Sequence, residues 1–211
     1  YRSVDVTDSA ALATVLDETR GDWGPIRGLV HGAGVLADRL IADQTDEQFD
    51  KVFNTKVEGL RTLLSGLQRD PVRVICLFSS VSARCGNNGQ STYAMANEIL
   101  NKVAWAESRN RGGDVLVKSL GWGPWEGGMV TPTLQKHFRA MGVPLIPLSG
   151  GADALAKELR DPQQDGEVLV EAPPPKGKRF ADLAHLPKRG GLWLDQSTHP
   201  YLNSHQIQNV P

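Results

Sequence analysis

The chain has 211 residues, 40% of them hydrophobic, with a formal net charge of −1. That balance suits one well-buried core plus an appendage, and it offers no electrostatic attraction for nucleic acid or an anionic membrane. With Cys76 and Cys85 alone, a disulfide framework is excluded and a reducing, cytoplasmic setting is expected; no apolar run reaches the roughly 18–20 residues of a bilayer span.

No signal peptide opens the sequence, and a first residue Tyr1 with Pro211 in mid-pattern reads as a piece cut from something longer. Residues 1–6 alternate and predict a strand. Thr7, Asp8 or Ser9 then caps a helix over residues 10–19. Residues 26–30 form a short apolar strand running into His31-Gly32-Ala33-Gly34, small residues that let a cofactor approach the backbone or that simply make a tight turn. Thr45 with Gln48 is a capping box, opening a helical run through Phe49, Val52, Phe53, Val57, Leu60, Leu63 and Leu64. Lys56 lies in the middle of that run, as solvated surface or, given its apolar neighbours, pointing inward.

Residues 72–78 are nearly all apolar, as expected of a central parallel strand covered on both faces. A small-residue loop leads to a helix from Tyr93 to Ser108, then a buried strand over 115–120. A loop with Trp122 and Trp125 follows, then an amphipathic segment over 133–141 that is a lid or an ordinary surface helix. A helix over 152–159 and a strand over 166–170 complete an α/β pattern with a mostly parallel sheet. The proline cluster Pro173-Pro174-Pro175 reads as a linker.

The chemistry is concentrated at the end of the central strand. Ser80 precedes Tyr93 by thirteen positions, and Asn97 follows Tyr93 by four, on the same helix face. A hydroxyl leaving a strand and a phenol on the next helix can converge on one carbonyl oxygen, which suits proton donation as a hydride arrives. Tyr93 is then the acid and Ser80 orients the oxygen. Asn97 helps hold a cation that lowers the phenol from its usual pKa of about 10.

These residues, with Asp5-Val6-Thr7-Asp8, His31-Gly32-Ala33-Gly34-Val35 and Lys56-Val57-Glu58-Gly59, resemble the ketoreductase domain of type I polyketide synthases, within the short-chain dehydrogenase/reductase superfamily. The segment Gly128-Met129-Val130-Thr131-Pro132 is most similar to reductases of polyunsaturated fatty acid synthase-type multienzymes. Ordinary members carry lysine four residues after the tyrosine; here Asn97 stands there and Lys56 lies on the earlier helix, as in polyketide ketoreductases. The resemblance implies a catalytic tetrad of Lys56, Ser80, Tyr93 and Asn97, with NADPH as reductant. Asp5 and Val6 are expected near its adenine, and His31, Gly32, Ala33 and Gly34 beside its ribose and nicotinamide.

The implied fold is a Rossmann-like parallel sheet over residues 1–171 that lacks its first strand–helix unit, and with it the glycine-rich phosphate loop. Weak or no cofactor binding by this chain, and no activity of it alone, is therefore expected. Asp43 in Ile41-Ala42-Asp43 resembles the aspartate marking one stereochemical class, while Cys85 stands where the other class has tryptophan. After a linker over 172–190, residues 191–211 resemble the opening of a hot-dog-fold dehydratase, with His205 in the place of its base.

The activity implied is NADPH-dependent reduction of a 3-ketoacyl thioester on an acyl carrier protein, inside a polyketide or fatty acid synthase multienzyme beside other synthase domains. The alternatives are a catalytically silent half-domain bracing its neighbours and an independent short-chain dehydrogenase. The five histidines form no metal-ligand spacing.

Overall fold

A computed structural model of the protein describes residues 1–162 and 166–173, and the backbone of residues 206–209. The first helix, α1 (Ser9–Trp23), starts where the Asp8 carboxylate accepts the amides of Ala10 and Ala11. Strand β1 (Gly28–His31) follows, then a 3₁₀ turn (Ile41–Asp43) and α2 (Asp46–Phe53), opened by the expected Thr45–Gln48 capping box. The predicted single helix does not continue smoothly. A π-turn (Asn54–Glu58) interrupts it before α3 (Gly59–Gly66).

Strand β2 (Val74–Ser80) runs two residues beyond the predicted end and carries both serines. The loop that follows contains a one-turn helix, α4 (Ser82–Cys85), ahead of α5 (Ser91–Asn110). Strand β3 (Leu116–Trp122) takes Gly121 and Trp122 into the sheet. A Cβ on Gly121 would lie 2.6 Å from Leu169 Cδ2, so the Leu169 side chain fills the space that this glycine leaves. Helix α6 (Pro132–Ala140) has no buried residue. Helix α7 (Leu148–Arg160) and β4 (Glu167–Glu171) complete the main body.

The sheet order is β1-β2-β3-β4-β5, every pair parallel. The fifth strand, β5 (Gln206–Asn209), falls in the segment expected to open a second domain and pairs with β4. Residues 174–205, with most of the linker and His205, lie outside the described residues. Residues 1–6 are a correction: they are not a strand. Alternation alone makes no ladder, and among the described residues no strand runs alongside them to supply hydrogen bonds.

Strand alternation sorts the core into two layers. Ile75, Leu77 and Val117 face α1, α3 and α5, packing on Leu12, Leu16, Leu60, Leu100 and Ala104. Cys76, Leu120, Trp122, Val168 and Val170 face Ala154 of α7, with Phe78 and Trp125 at the margin. Both faces of the central strands are covered, which is why their sequences read as continuous apolar runs. Among the described residues no helix is long and apolar enough to cross a membrane.

Candidate active site

Parallel pairing brings the carboxyl ends of β1, β2 and β3 to one edge, with His31 paired to Leu77 and Ser80 to Trp122. Ligands of open α/β sheets bind outside this edge. Ser80 leaves β2 there, 7% exposed, while Asn97 is fully buried on α5. The Ser79 hydroxyl donates to the Asn97 carbonyl oxygen at 3.1 Å, fastening α5 against β2 beside the two catalytic candidates. Asn97 donates its Nδ2 to the Tyr93 carbonyl oxygen at 2.7 Å, one helical turn back. Its Oδ1 is buried with no partner in hydrogen-bond range among the described residues.

Lys56 points inward, only 3% exposed. Its ammonium donates to the Phe78 carbonyl oxygen at 3.0 Å and lies 5.5 Å from the centroid of the Tyr93 ring. Burial lowers its pKa to about 8. A Cβ on Gly34 would come 3.1 Å from the lysine Cε, so glycine makes room for this arm. Lys56, Ser80 and the Tyr93–Asn97 pair, from three different elements, thus meet at one sheet edge.

The expected lowering of the Tyr93 pKa is not what the protein's own groups produce. Burial, the largest influence, raises it; Asn97 and Ser80 pull the other way, and the charge of Asp38 raises it further. A buried phenol without a full ion pair titrates late, because its charged form loses hydration.

Asp38 is one of three residues that sequence reasoning missed. The Ser80 hydroxyl donates to Ser82 Oγ at 3.1 Å, Ser82 Oγ donates to Gln90 Oε1 at 3.2 Å, and Gln90 Nε2 donates to Asp38 Oδ2 at 2.8 Å. The Arg39 amide also donates to the Gly89 carbonyl at 2.8 Å, so the loops after β1 and β2 are clasped across the site. Asp43, singled out from the sequence, sits on the 3₁₀ turn, exposed as Asp38 is, and takes no part in this chain of bonds. Leu36-Ala37-Asp38 carries nearly the same triplet five residues earlier, and only the fold chooses between the two copies.

Cys85 ends α4, which Arg84 anchors by bonding Glu167 of β4 and Glu98 of α5. Asn101 of α5 joins that network by donating to Glu98 and Glu167.

The cofactor candidates divide. Asp5 is exposed and accepts from the amide and hydroxyl of Thr7, at 2.9 and 2.8 Å, which lowers its pKa. Val6 packs against Gly59, where a Cβ would lie 2.7 Å from Val6 Cγ2. Gly32 is exposed, and Ala33 and Gly34 are half-buried beside Lys56. His31, by contrast, is 1% exposed, and its Nε2 lies 2.9 Å from the Lys56 carbonyl oxygen. Since that carbonyl can only accept, Nε2 carries the proton. Among the described residues no group of His, Cys, Asp and Glu could hold a metal ion.

Burial lowers the His31 pKa from 6.5 to about 4. The unfolded chain therefore binds an extra proton between these values. The stability contributed by the neutral ring is present above about pH 6.5 and is lost as pH falls toward about 4. Urea denaturation across this window is expected to show a loss of up to about 3 kcal/mol in wild type and a flatter profile in His31→Gln.

Comparison with known proteins agrees with this geometry. The family model described as "KR domain" matches residues 1–127. A polyunsaturated fatty acid synthase polypeptide of Thraustochytrium sp. is 48% identical over 81% of this chain, which spans 6% of that protein's length. Among solved structures, a ketoreductase domain from the bacillaene assembly line is 30% identical with a TM-score of 0.68, covering 78% of this chain and 41% of that one. The ketoreductase from the first module of phoslactomycin biosynthesis in Streptomyces sp. HK803 is 34% identical with a TM-score of 0.65, covering 73% of this chain and 35% of that one. With the parallel sheet and the converging motifs in place, the chain belongs to the ketoreductase (KR) domain family of polyketide and polyunsaturated fatty acid synthases.

Proposed function

We propose that this chain reduces the 3-keto group of an acyl thioester carried by an acyl carrier protein, using NADPH, within a synthase multienzyme. The observation that carries the reading is the meeting of Ser80, Tyr93, Asn97 and Lys56 at the carboxyl edge of a parallel sheet. Asp5, Val6 and the segment from Gly32 to Gly34 would hold the cofactor, and the orphaned Oδ1 of Asn97 is a buried polar atom awaiting a partner at that site. When bound, NADPH supplies the hydride that reduces the keto carbon.

The chain's own residues handle the proton. Ser80, its hydroxyl turned away from Ser82 Oγ, donates a hydrogen bond to the substrate oxygen and so aligns it. Tyr93 transfers its phenolic proton to that oxygen as charge develops there. The high pKa of Tyr93 keeps it protonated until it is needed, and the Lys56 ammonium over its ring stabilises the phenolate left behind. The bond between Gln90 and Asp38 and the one between the Arg39 amide and the Gly89 carbonyl tie together the two loops that flank the hydroxyls.

The test is NADPH oxidation with a 3-ketoacyl pantetheine thioester, by this chain extended upstream through a nucleotide-binding loop. Turnover giving the 3-hydroxyacyl product is expected. A folded, NADPH-binding protein without turnover would sink the reading in favour of the bracing role.

A further inference from the structure

Lys56 reaches the site through an unusual piece of backbone. In the π-turn the Gly59 amide is shared between the carbonyls of Asn54, five residues back, and Lys56. Removing such a one-residue widening would rotate the helix on one side of it by about 100° relative to the other. The direction of Lys56 therefore depends on whether the π-turn persists, and something outside the helix must hold it.

The group in place to do so is His31. It comes from β1, its position is set by pairing with Leu77 of β2, and it is 1% exposed. Among the described residues, its ring makes one hydrogen bond, from Nε2 to the Lys56 carbonyl oxygen at 2.9 Å. The next residue of β2, Phe78, provides the carbonyl that receives the Lys56 ammonium at 3.0 Å. Two adjacent strands thus grip the same lysine, one by its backbone and the other by its charge, while Gly34 leaves room for the arm between.

We propose that His31 is a positioning residue for the reaction: its bond to the Lys56 carbonyl keeps the π-turn in the rotation that carries the lysine ammonium to the face of Tyr93. The role assigned to Lys56 rests on the ketoreductase reading above; the geometric dependence of Lys56 on His31 does not. His31 thereby acts through Lys56 and touches no reacting atom.

The test reads the Lys56 ammonium directly and needs no turnover. Nuclear magnetic resonance titration of the lysine side chains, with each variant compared against its own Lys56→Met counterpart, isolates Lys56 from the other lysines. Burial holds the Lys56 midpoint at about 8, where Tyr93, raised above its usual value, is still protonated and carries no charge. His31→Leu, which fills the space without a donor, is expected to turn the ammonium out of its buried position and raise the Lys56 midpoint from about 8 toward its usual 10.5. His31→Gln, whose amide nitrogen can occupy the Nε2 position, is expected to recover most of that shift.

If His31→Leu does not fold, His31→Asn replaces it, offering the same amide on an arm too short to reach. Equal midpoints in wild type, Gln and the donor-less or short-armed variant would overturn the proposal. So would a shift of equal size in all variants, because the imidazole packing and not the bond would then matter. Absence of ketone reduction in wild type with the midpoint shift intact would refute the proposed function and leave the positioning role standing.

Discussion

If the proposed reaction holds, Tyr93→Phe is expected to lower ketone reduction by about 10²–10⁴-fold, the usual contribution of a positioned general acid. The substitution removes one oxygen and keeps the ring that lies 5.5 Å from the Lys56 ammonium, so the lysine keeps its aromatic neighbour. The Asn97 bond to the Tyr93 carbonyl uses backbone, which the substitution does not touch. Helix α5 and its attachment to β2 through Ser79 should therefore be unchanged, and circular dichroism and thermal unfolding should match wild type. The loss should appear in kcat, with the KM for NADPH little altered, because in the proposed reaction the phenol meets the substrate oxygen and not the cofactor. Turnover within a few-fold of wild type would assign the proton to another donor.

Lys118→Met is expected to destabilise the fold by about 3–5 kcal/mol, read as a lower urea midpoint at constant slope. Lys118 on β3 and Glu158 on α7 form an ion pair of 2.9 Å with both side chains only 1% exposed. Removing the lysine takes from the buried Glu158 carboxylate the ammonium it bonds at 2.9 Å. Asp161, whose carboxylate lies 3.9 Å from the lysine, is 28% exposed and remains solvated at the helix end. The double substitution Lys118→Met with Glu158→Leu should recover most or all of the stability, since apolar groups of similar volume replace a desolvated pair. A double variant as unstable as the single one would show that lysine packing, and not the broken ion pair, sets the loss. The pair joins the sheet to α7 on the face opposite α5, so both variants should keep the Lys56 titration of wild type.

Much of this site is local, and local features are legible. The capping box at Thr45 and Gln48 involves groups three residues apart, so its sequence signature carries its geometry. Tyr93 and Asn97 share a face because four residues make about one helical turn. The apolar runs of β2 and β3 announce strands covered on both sides, and these are the strands at the centre of the sheet.

Other features depended on partners the sequence does not name. Residues 1–6 alternate as a strand should, yet a strand exists only where a neighbour supplies its hydrogen bonds. Asp38 and Asp43 end nearly identical triplets, and only the Gln90 amide, brought over by the clasp between two loops, selects Asp38. The linkage of Arg84 to Glu167 spans 83 positions and has no local trace.

Lys56 divides the two kinds of information most clearly. The residue types alone, with their order along the chain, determined the parallel α/β class and the central strands, and they set Ser80, Tyr93 and Asn97 within reach of one another. Whether Lys56 faced solvent or the site was left open, because a helical position's direction follows from the rotation of the turns before it. Tertiary structure decided it: His31 on one strand and the Phe78 carbonyl on the next hold a π-turn that periodicity cannot encode, since its hydrogen-bond partner lies 25 residues away in a different element.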